Sequence, residues 1–458
     1  MPTPTPAQPS RPPFPRGMAL LVAGALFMEI LDATVVAPAI PRIAESLGVN
    51  AVNINVAISA YLVTVAVLIP ATGWMADRFG VRRVFVTAIA VFTIASIGCA
   101  ASVSLPMLVG MRVLQGIGGA MMVPVGRLAV LRDSDKSDLV RAIALLTWPA
   151  LTAPVIAPAL GGAIATFASW RWIFLINIPI GIVGFLLALK LVQGERAPSV
   201  RSLDWRSMLL IGLGIAAALI ALEQIHVSGT NWHVVGVVGG VAVVLLGWAI
   251  RHLLRTDAPL VQLRVLREQT LRITVTAGSL YRMVITAVPF LLPLQFQFVF
   301  GWTPLGAGLM VAALFLGNLT IKPATTPMMR RFGIRNVLLV NGIASVGCFG
   351  LLMLLRPGLP IVVMAVILYV SGALRSIGFT AYNSLAFSGI EGDDLTHGNT
   401  LNASVQELAA GLGIAVAALL LSVLVAYPYV YLALGVLLAA TLIETLRLPR
   451  DAGSHVSG

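Results

Sequence analysis

Gly73-Trp74-Met75-Ala76-Asp77-Arg78-Phe79-Gly80-Val81-Arg82-Arg83 closes one long apolar run, and its centre returns as Arg331-Phe332-Gly333-Ile334-Arg335 at the end of another. A basic, glycine-containing turn repeated at the same kind of boundary marks two related halves. Within the first copy, Gly73 permits close helix approach, Gly80 permits a tight turn, and Asp77 can pair with a cation or cap a neighbouring helix. The residues Gly73, Asp77, Arg78, Gly80 and Arg82 therefore suit a gate between moving parts. Ordinary anchoring of helix ends by basic residues is the competing reading.

Outward from these two turns the chain divides into apolar stretches of about 20 residues, the length that crosses about 30 Å of hydrocarbon. Fourteen can be drawn: 17–40, 53–75, 83–103, 107–130, 141–166, 172–192, 207–225, 233–253, 271–297, 304–328, 337–355, 360–386, 400–424 and 428–446. The repeat makes spans 2 and 10 equivalent, which requires six helices, two inserted helices and six more. Expected units are a cytoplasmic tail (1–16), a six-helix bundle (17–192), basic linkers with the two inserted helices (193–270), a second bundle (271–447) and a tail (448–458).

Composition agrees with this reading. Hydrophobic residues make up 58% of the 458 and charged residues 10%, against about 25% charged in a soluble domain. A soluble enzyme is excluded, because no globular volume could hide so much apolar surface. The 30 Lys and Arg are distributed by topology: with the N-terminus inside, 19 fall in inward loops or the span ends beside them, three in outward loops, four in the tails and four deeper within spans. That asymmetry orients the chain with both termini cytoplasmic and accounts for the net charge of +12 without nucleic acid. Cys99 and Cys348 lie in apolar runs away from any metal-ligand spacing and read as small buried hydrophobes. No metal site, cofactor or Walker-type phosphate loop is expected, so neither ATP nor enzymatic chemistry enters the reading.

Several stretches together resemble the 14-span drug:proton antiporter branch of the major facilitator superfamily. The 73–83 segment is similar to its loop 2–3 signature, Leu31-Asp32-Ala33-Thr34-Val35-Val36-Ala37-Pro38 to its span 1 motif, and Arg112-Val113-Leu114-Gln115-Gly116-Ile117-Gly118-Gly119 to its span 4 motif. Trp170-Arg171-Trp172 through Asn177-Ile178-Pro179 and Leu203-Asp204-Trp205 match its entries to spans 6 and 7. On span 5, Pro158, Gly161 and Gly162 keep the helix bend that the antiporter signature implies, while Ala153 and Ala157 stand where it has glycines. The resemblance implies an all-α polytopic membrane protein with 14 transmembrane helices in a 6+2+6 major facilitator fold. It further implies a proton-driven exporter of small amphiphilic compounds in the bacterial cytoplasmic membrane, with lipid, protons and a small-molecule substrate as its partners. A monomer is expected.

Charges at bilayer depth are costly and point to function by default. Glu29 and Asp32 share a face of span 1 at i, i+3, and two such carboxylates in a dry cavity should not both ionise, which suits a proton carrier. Arg112, with Gln115 three residues on, supplies a cation able to stabilise the ionised Asp32; a static ion pair is the alternative. In the second half, Arg282 and Arg375, with Asn383, Asn402, Gln406 and Glu407, are expected with Gln115 to line a substrate cavity, and Glu407 to pair with one of the arginines. Tyr61 and Tyr281 serve either as aromatic wall or as packing. The near balance of these charges leaves mixed-charge drugs open beside an organic anion or anionic metal chelate, and a non-transporting receptor or scaffold is the reading from another class.

Overall fold

The computed structural model describes residues 16–132, 139–192, 203–224, 232–256, 259, 262–389 and 394–449. The expected tails and most of the first basic linker lie outside these residues. Fourteen principal helices follow the expected spans: α1 Arg16–Val35, α2 Asn55–Phe79, α3 Val81–Ala100, α4 Leu105–Arg132, α5 Leu139–Phe167, α6 Asn177–Leu191, α7 Trp205–Gln224, α8 Trp232–Leu253, α9 Ser279–Phe298, α10 Pro304–Thr320, α11 Ile334–Met353, α12 Ile361–Phe387, α13 Asp394–Leu424 and α14 Tyr427–Leu446. Among the described residues there is no strand. Among the described residues eleven helical stretches are long and apolar enough to cross a bilayer, and α10 becomes a twelfth with Lys322–Phe332, to which it is joined by a 46° bend.

The repeated turns are reduced to single residues. Gly73 to Phe79 form the last turns of α2, so the segment is helix rather than loop, and Gly80 alone breaks the chain at φ 86° before α3 begins at Val81. Gly333 does the same at φ 77° between Phe332 and α11. Left-handed backbone of this kind strains any residue with a Cβ, which is why glycine stands at both points.

Consecutive helices that each cross a bilayer must alternate in direction, which gathers the basic loops on one face and leaves an opposite face. Helix α2 packs along α13, and α5 along α10. Since the repeat makes α10 the counterpart of α2, and chain order makes α13 that of α5, the two contacts exchange under one two-fold relation. Between the two halves two described hydrogen bonds engage residues at the ends of spans on the opposite face, Gln297 Nε2 to the Pro38 carbonyl at 2.8 Å and the Leu305 N–H to Thr166 Oγ1 at 3.1 Å, and a third joins Ser59 Oγ near the start of α2 to the Gly411 carbonyl in the middle of α13 at 3.1 Å.

Helices α7 and α8 form a hairpin whose α7 packs on α2 and α13. Asp204 caps α7, receiving the Ser207 N–H at 3.1 Å, and meets His252 Nε2 of α8 at 3.1 Å. Helix α8 exposes Val237, Val241, Val243, Val244 and Trp248. Such a face is untenable in water and ordinary in lipid. Cys99 and Cys348 are free and buried, as expected.

Candidate functional site

Helix α1 carries Asp32 into the middle of the first half, where it is 0% exposed and surrounded by donors from α4 and α6. Arg112, 1% exposed, enters from α4 and places Nη1 2.5 Å from Asp32 Oδ2. Gln115 Nε2 and Asn177 Nδ2 both donate to the other carboxylate oxygen, Oδ1, at 2.9 and 2.7 Å. One helical turn separates Arg112 from Gln115, so the same face of α4 lets Arg112 Nη1 donate to Gln115 Oε1 at 2.7 Å. Gln115 Nε2 also reaches Ser96 Oγ of α3 at 2.8 Å, and the Cys99 thiol lies 3.7 Å from Gln115 Oε1. The Arg112 guanidinium stacks 4.4 Å above the Tyr61 ring of α2. A buried ion pair survives desolvation only when its remaining lone pairs and protons find partners. Here Asp32 has three donors, while Arg112 keeps Nη2 buried without a hydrogen-bond partner among the described residues.

This network differs from the sequence expectation in three respects. Gln115 is completely buried in it and is bound to Asp32, so it does not line a cavity with the C-half residues. Glu29 lies on the Tyr61 side of the network: it is half-buried, its Oε1 lying 3.5 Å from the point where a side chain on Gly119 would begin, and the Tyr61 hydroxyl lies 2.9 Å from the same point. Ser96 and Asn177 were not singled out. Asn177 stood within a quoted motif, whereas nothing in the sequence distinguishes Ser96 from other serines in spans.

In the second half Arg282 of α9 and Arg375 of α12 are half-buried. Each lies over a phenylalanine ring, Arg282 over Phe379 at 4.7 Å and Arg375 over Phe315 at 5.2 Å. Arg375 Nη1 donates to the Ile285 carbonyl at 3.4 Å, and Arg282 Nε is buried without a hydrogen-bond partner among the described residues. The expected pairing of Glu407 with one of these arginines is not among the described ion pairs; Glu407, half-buried on α13, instead lies within electrostatic reach of Tyr61. Asn402 Nδ2 donates to Asn383 Oδ1 at 3.3 Å, joining α13 to α12, and Gln406 is buried nearby on α13. The Tyr281 hydroxyl donates to the Leu374 carbonyl at 2.9 Å. Beside Arg375 a cavity of ≈ 20 Å³, lined also by Tyr281, Leu314 and Ser371, has room for one water.

The turn residues also separate. A side chain added at Gly73 would meet nothing within 4 Å, so close helix approach is not its role. Arg82 Nη2 donates to the Leu189 carbonyl at 2.6 Å, capping the last turn of α6 within its own half. Arg335, its counterpart, donates to the Leu446 carbonyl at the end of α14 at 3.2 Å. Close approach falls to span 5 and its partner: a Cβ on Gly162 would lie 2.4 Å from the Pro304 carbonyl oxygen, one on Gly308 2.2 Å from that of Pro158, and one on Gly161 2.0 Å from that of Val35.

The sequence model of the Major Facilitator Superfamily matches residues 22–414. The chain is 35% identical over 457 residues to "Putative multidrug resistance protein MdtD" of Serratia proteamaculans (strain 568), covering 95% of this chain and 94% of the relative. Its namesake in Cronobacter sakazakii (strain ATCC BAA-894) is 37% identical over 407 residues, covering 88% and 85%. Among solved structures, a POT family transporter in complex with 5-aminolevulinic acid superposes with a TM-score of 0.71 at 15% identity, covering 96% of each chain. A D-xylose-proton symporter gives 0.67 at 15% identity, covering 96% of this chain and 99% of its own. At that identity the likeness is one of fold.

Proposed function

The chain belongs to the major facilitator superfamily, and from that premise we propose that it is a proton-coupled secondary transporter exporting small amphiphilic compounds from the bacterial cytoplasm by alternating access. Two six-helix bundles, residues 17–192 and 271–447, rock about a midplane site, with 193–270 as the inserted pair and its linkers. The basic loops and both termini face the cytoplasm, following the excess of Lys and Arg on that side. The proton gradient supplies the energy without ATP or a bound cofactor, and the working unit is a monomer.

The observation that carries this reading is the Asp32–Arg112 pair, sealed inside the first bundle at 0% and 1% exposure. Arg112 meets the Asp32 carboxylate at Oδ2. A proton arriving at that oxygen removes the charge that Arg112 opposes, while the Gln115 and Asn177 donors stay on Oδ1. Released, the guanidinium must rearrange over Tyr61, because a buried cation without its counter-charge is strongly unfavourable. Coupling follows when the substrate-bound and substrate-free states tolerate that rearrangement differently. Glu29, half-buried toward Tyr61, serves as a second proton acceptor on the path.

The test is reconstitution with an inward proton gradient and a pH-sensitive dye inside the vesicles. Substrate-dependent proton movement is expected in the wild type, with a loss of at least 100-fold in Asp32→Asn and partial retention in Asp32→Glu. Undiminished flux in Asp32→Asn would remove Asp32 from the proton path.

A further inference from the structure

The two halves treat their buried charges differently. In the first, Asp32 and Arg112 cancel. In the second, Arg375 reaches across to the Ile285 carbonyl of α9, one helical turn from Arg282, and among the described residues no carboxylate pairs with either arginine. Two uncompensated guanidiniums at bilayer depth are a standing electrostatic cost unless something anionic joins them. Both retain donors for it: each guanidinium lies over a ring, Phe379 under Arg282 and Phe315 under Arg375, and Arg282 Nε has no hydrogen-bond partner. Cation–π contact fixes a guanidinium plane without using its N–H groups.

The internal repeat adds a direction. Arg331 follows Arg78 by 253 residues, and the same step carries Glu29 to Arg282. Related positions in the two halves thus have opposite signs, Glu29 half-buried toward Tyr61 on one side and Arg282 with Arg375 on the other. The Asn402–Asn383 pair on α13 and α12 adds neutral polar groups but no negative charge on the arginine side.

We propose that Arg282 and Arg375 form the anion-binding end of the substrate site, receiving a carboxylate carried on a flat apolar body. A planar oxyanion fits the fork of a guanidinium, two such forks can share it, and Phe315 and Phe379 hold the forks in place. The aromatic surroundings favour an aryl carboxylate over a small inorganic anion. The assignment rests on the transporter reading for its consequence, but the binding itself does not depend on proton coupling.

The experiment measures equilibrium binding to the purified full-length protein in a neutral detergent free of anionic lipid. The probes are 2-naphthoate, its methyl ester and 2-naphthylmethylammonium at matched concentrations, followed by shift in unfolding temperature and by tryptophan quenching, with inorganic phosphate as competitor. Saturable binding of 2-naphthoate, at least tenfold tighter than either relative, is expected. Arg282→Gln and Arg375→Gln should each weaken it at least tenfold while leaving the ester unchanged, and Arg375→Lys should fall between. Should a Gln variant fail to fold, the Lys variants at both positions still separate fork from charge. Equal or tighter binding of the ammonium probe, or unchanged naphthoate affinity in the variants, would overturn the proposal. Displacement by phosphate at the concentration of the probe would overturn the aryl selectivity. Naphthoate binding without proton flux in vesicles would count against antiport alone, and flux with the cationic probe only would count against the anion site alone.

Discussion

Arg112 serves three partners from one buried position: the Asp32 carboxylate, the Gln115 carbonyl oxygen and the Tyr61 ring. A lysine there could keep the charge but could not stack flat on the ring while reaching two oxygens. Arg112→Lys should therefore fold, because its charge still meets Asp32, yet lose at least tenfold in coupled transport when assayed in vesicles at equal protein density. Full activity would reduce the residue to a point charge. Asn177 offers a milder perturbation. Removing its donor from Asp32 Oδ1 should cost about 1.5–3 kcal/mol, the usual worth of a hydrogen bond to a charged group. Asn177→Ala should accordingly unfold at lower temperature in detergent, and unchanged melting would mean that the network does not hold Asp32 in place. Of these residues Asp32 and Arg112 were legible in the sequence, because a charge inside an apolar span is conspicuous. Ser96, Cys99 and Asn177 were not, since small polar side chains are common in spans and only packing shows which ones converge.

Among the elements, the glycines divide into those that permit a backbone angle, those that permit contact and those that do neither. Gly80 holds φ 86° between α2 and α3, while Gly308 admits the Pro158 carbonyl where α10 crosses α5. Gly73 has open space around it, though its place in the motif suggested close packing. Substitution to alanine should separate the three. Gly73→Ala should leave transport and melting temperature unchanged or slightly improved, as expected of Gly→Ala within a helix. Gly80→Ala should cost about 1–2 kcal/mol through left-handed backbone strain. Gly308→Ala must push α10 from α5, because a Cβ cannot stand 2.2 Å from an oxygen, and should impair transport more than stability. Comparable effects at Gly73 and Gly308 would break this division. The helices themselves were legible, since about 20 apolar residues can do little else in a bilayer. Their contacts were not: spacing marks a face of a helix without saying what lies against it, and for that reason Arg82 read as a gate residue although it caps α6.

At the scale of the molecule, two of the described hydrogen bonds between the halves lie near the ends of spans on the face opposite the basic loops, Pro38 with Gln297 and Thr166 with Leu305, and Ser59 reaches Gly411 deeper in α13. Helix α5 meets α10 there through Gly162 and Gly308. Alternating access requires such a closure to open in the other half of the cycle. The Leu305 N–H lies 3.1 Å from Thr166 Oγ1, which brings the two backbones close enough for a Thr166→Cys, Leu305→Cys pair to be oxidised across the contact. The native thiols do not interfere, because Cys99 and Cys348 are both buried. Oxidation of the pair should abolish coupled exchange by at least tenfold, and a reductant should restore it, while each single cysteine remains active under both conditions. The same lock should leave 2-naphthoate able to bind, since Arg282 and Arg375 lie outside the locked contact. A fully cross-linked protein that still exchanges substrate would mean that this closure does not open during transport, and that the two halves move about some other contact.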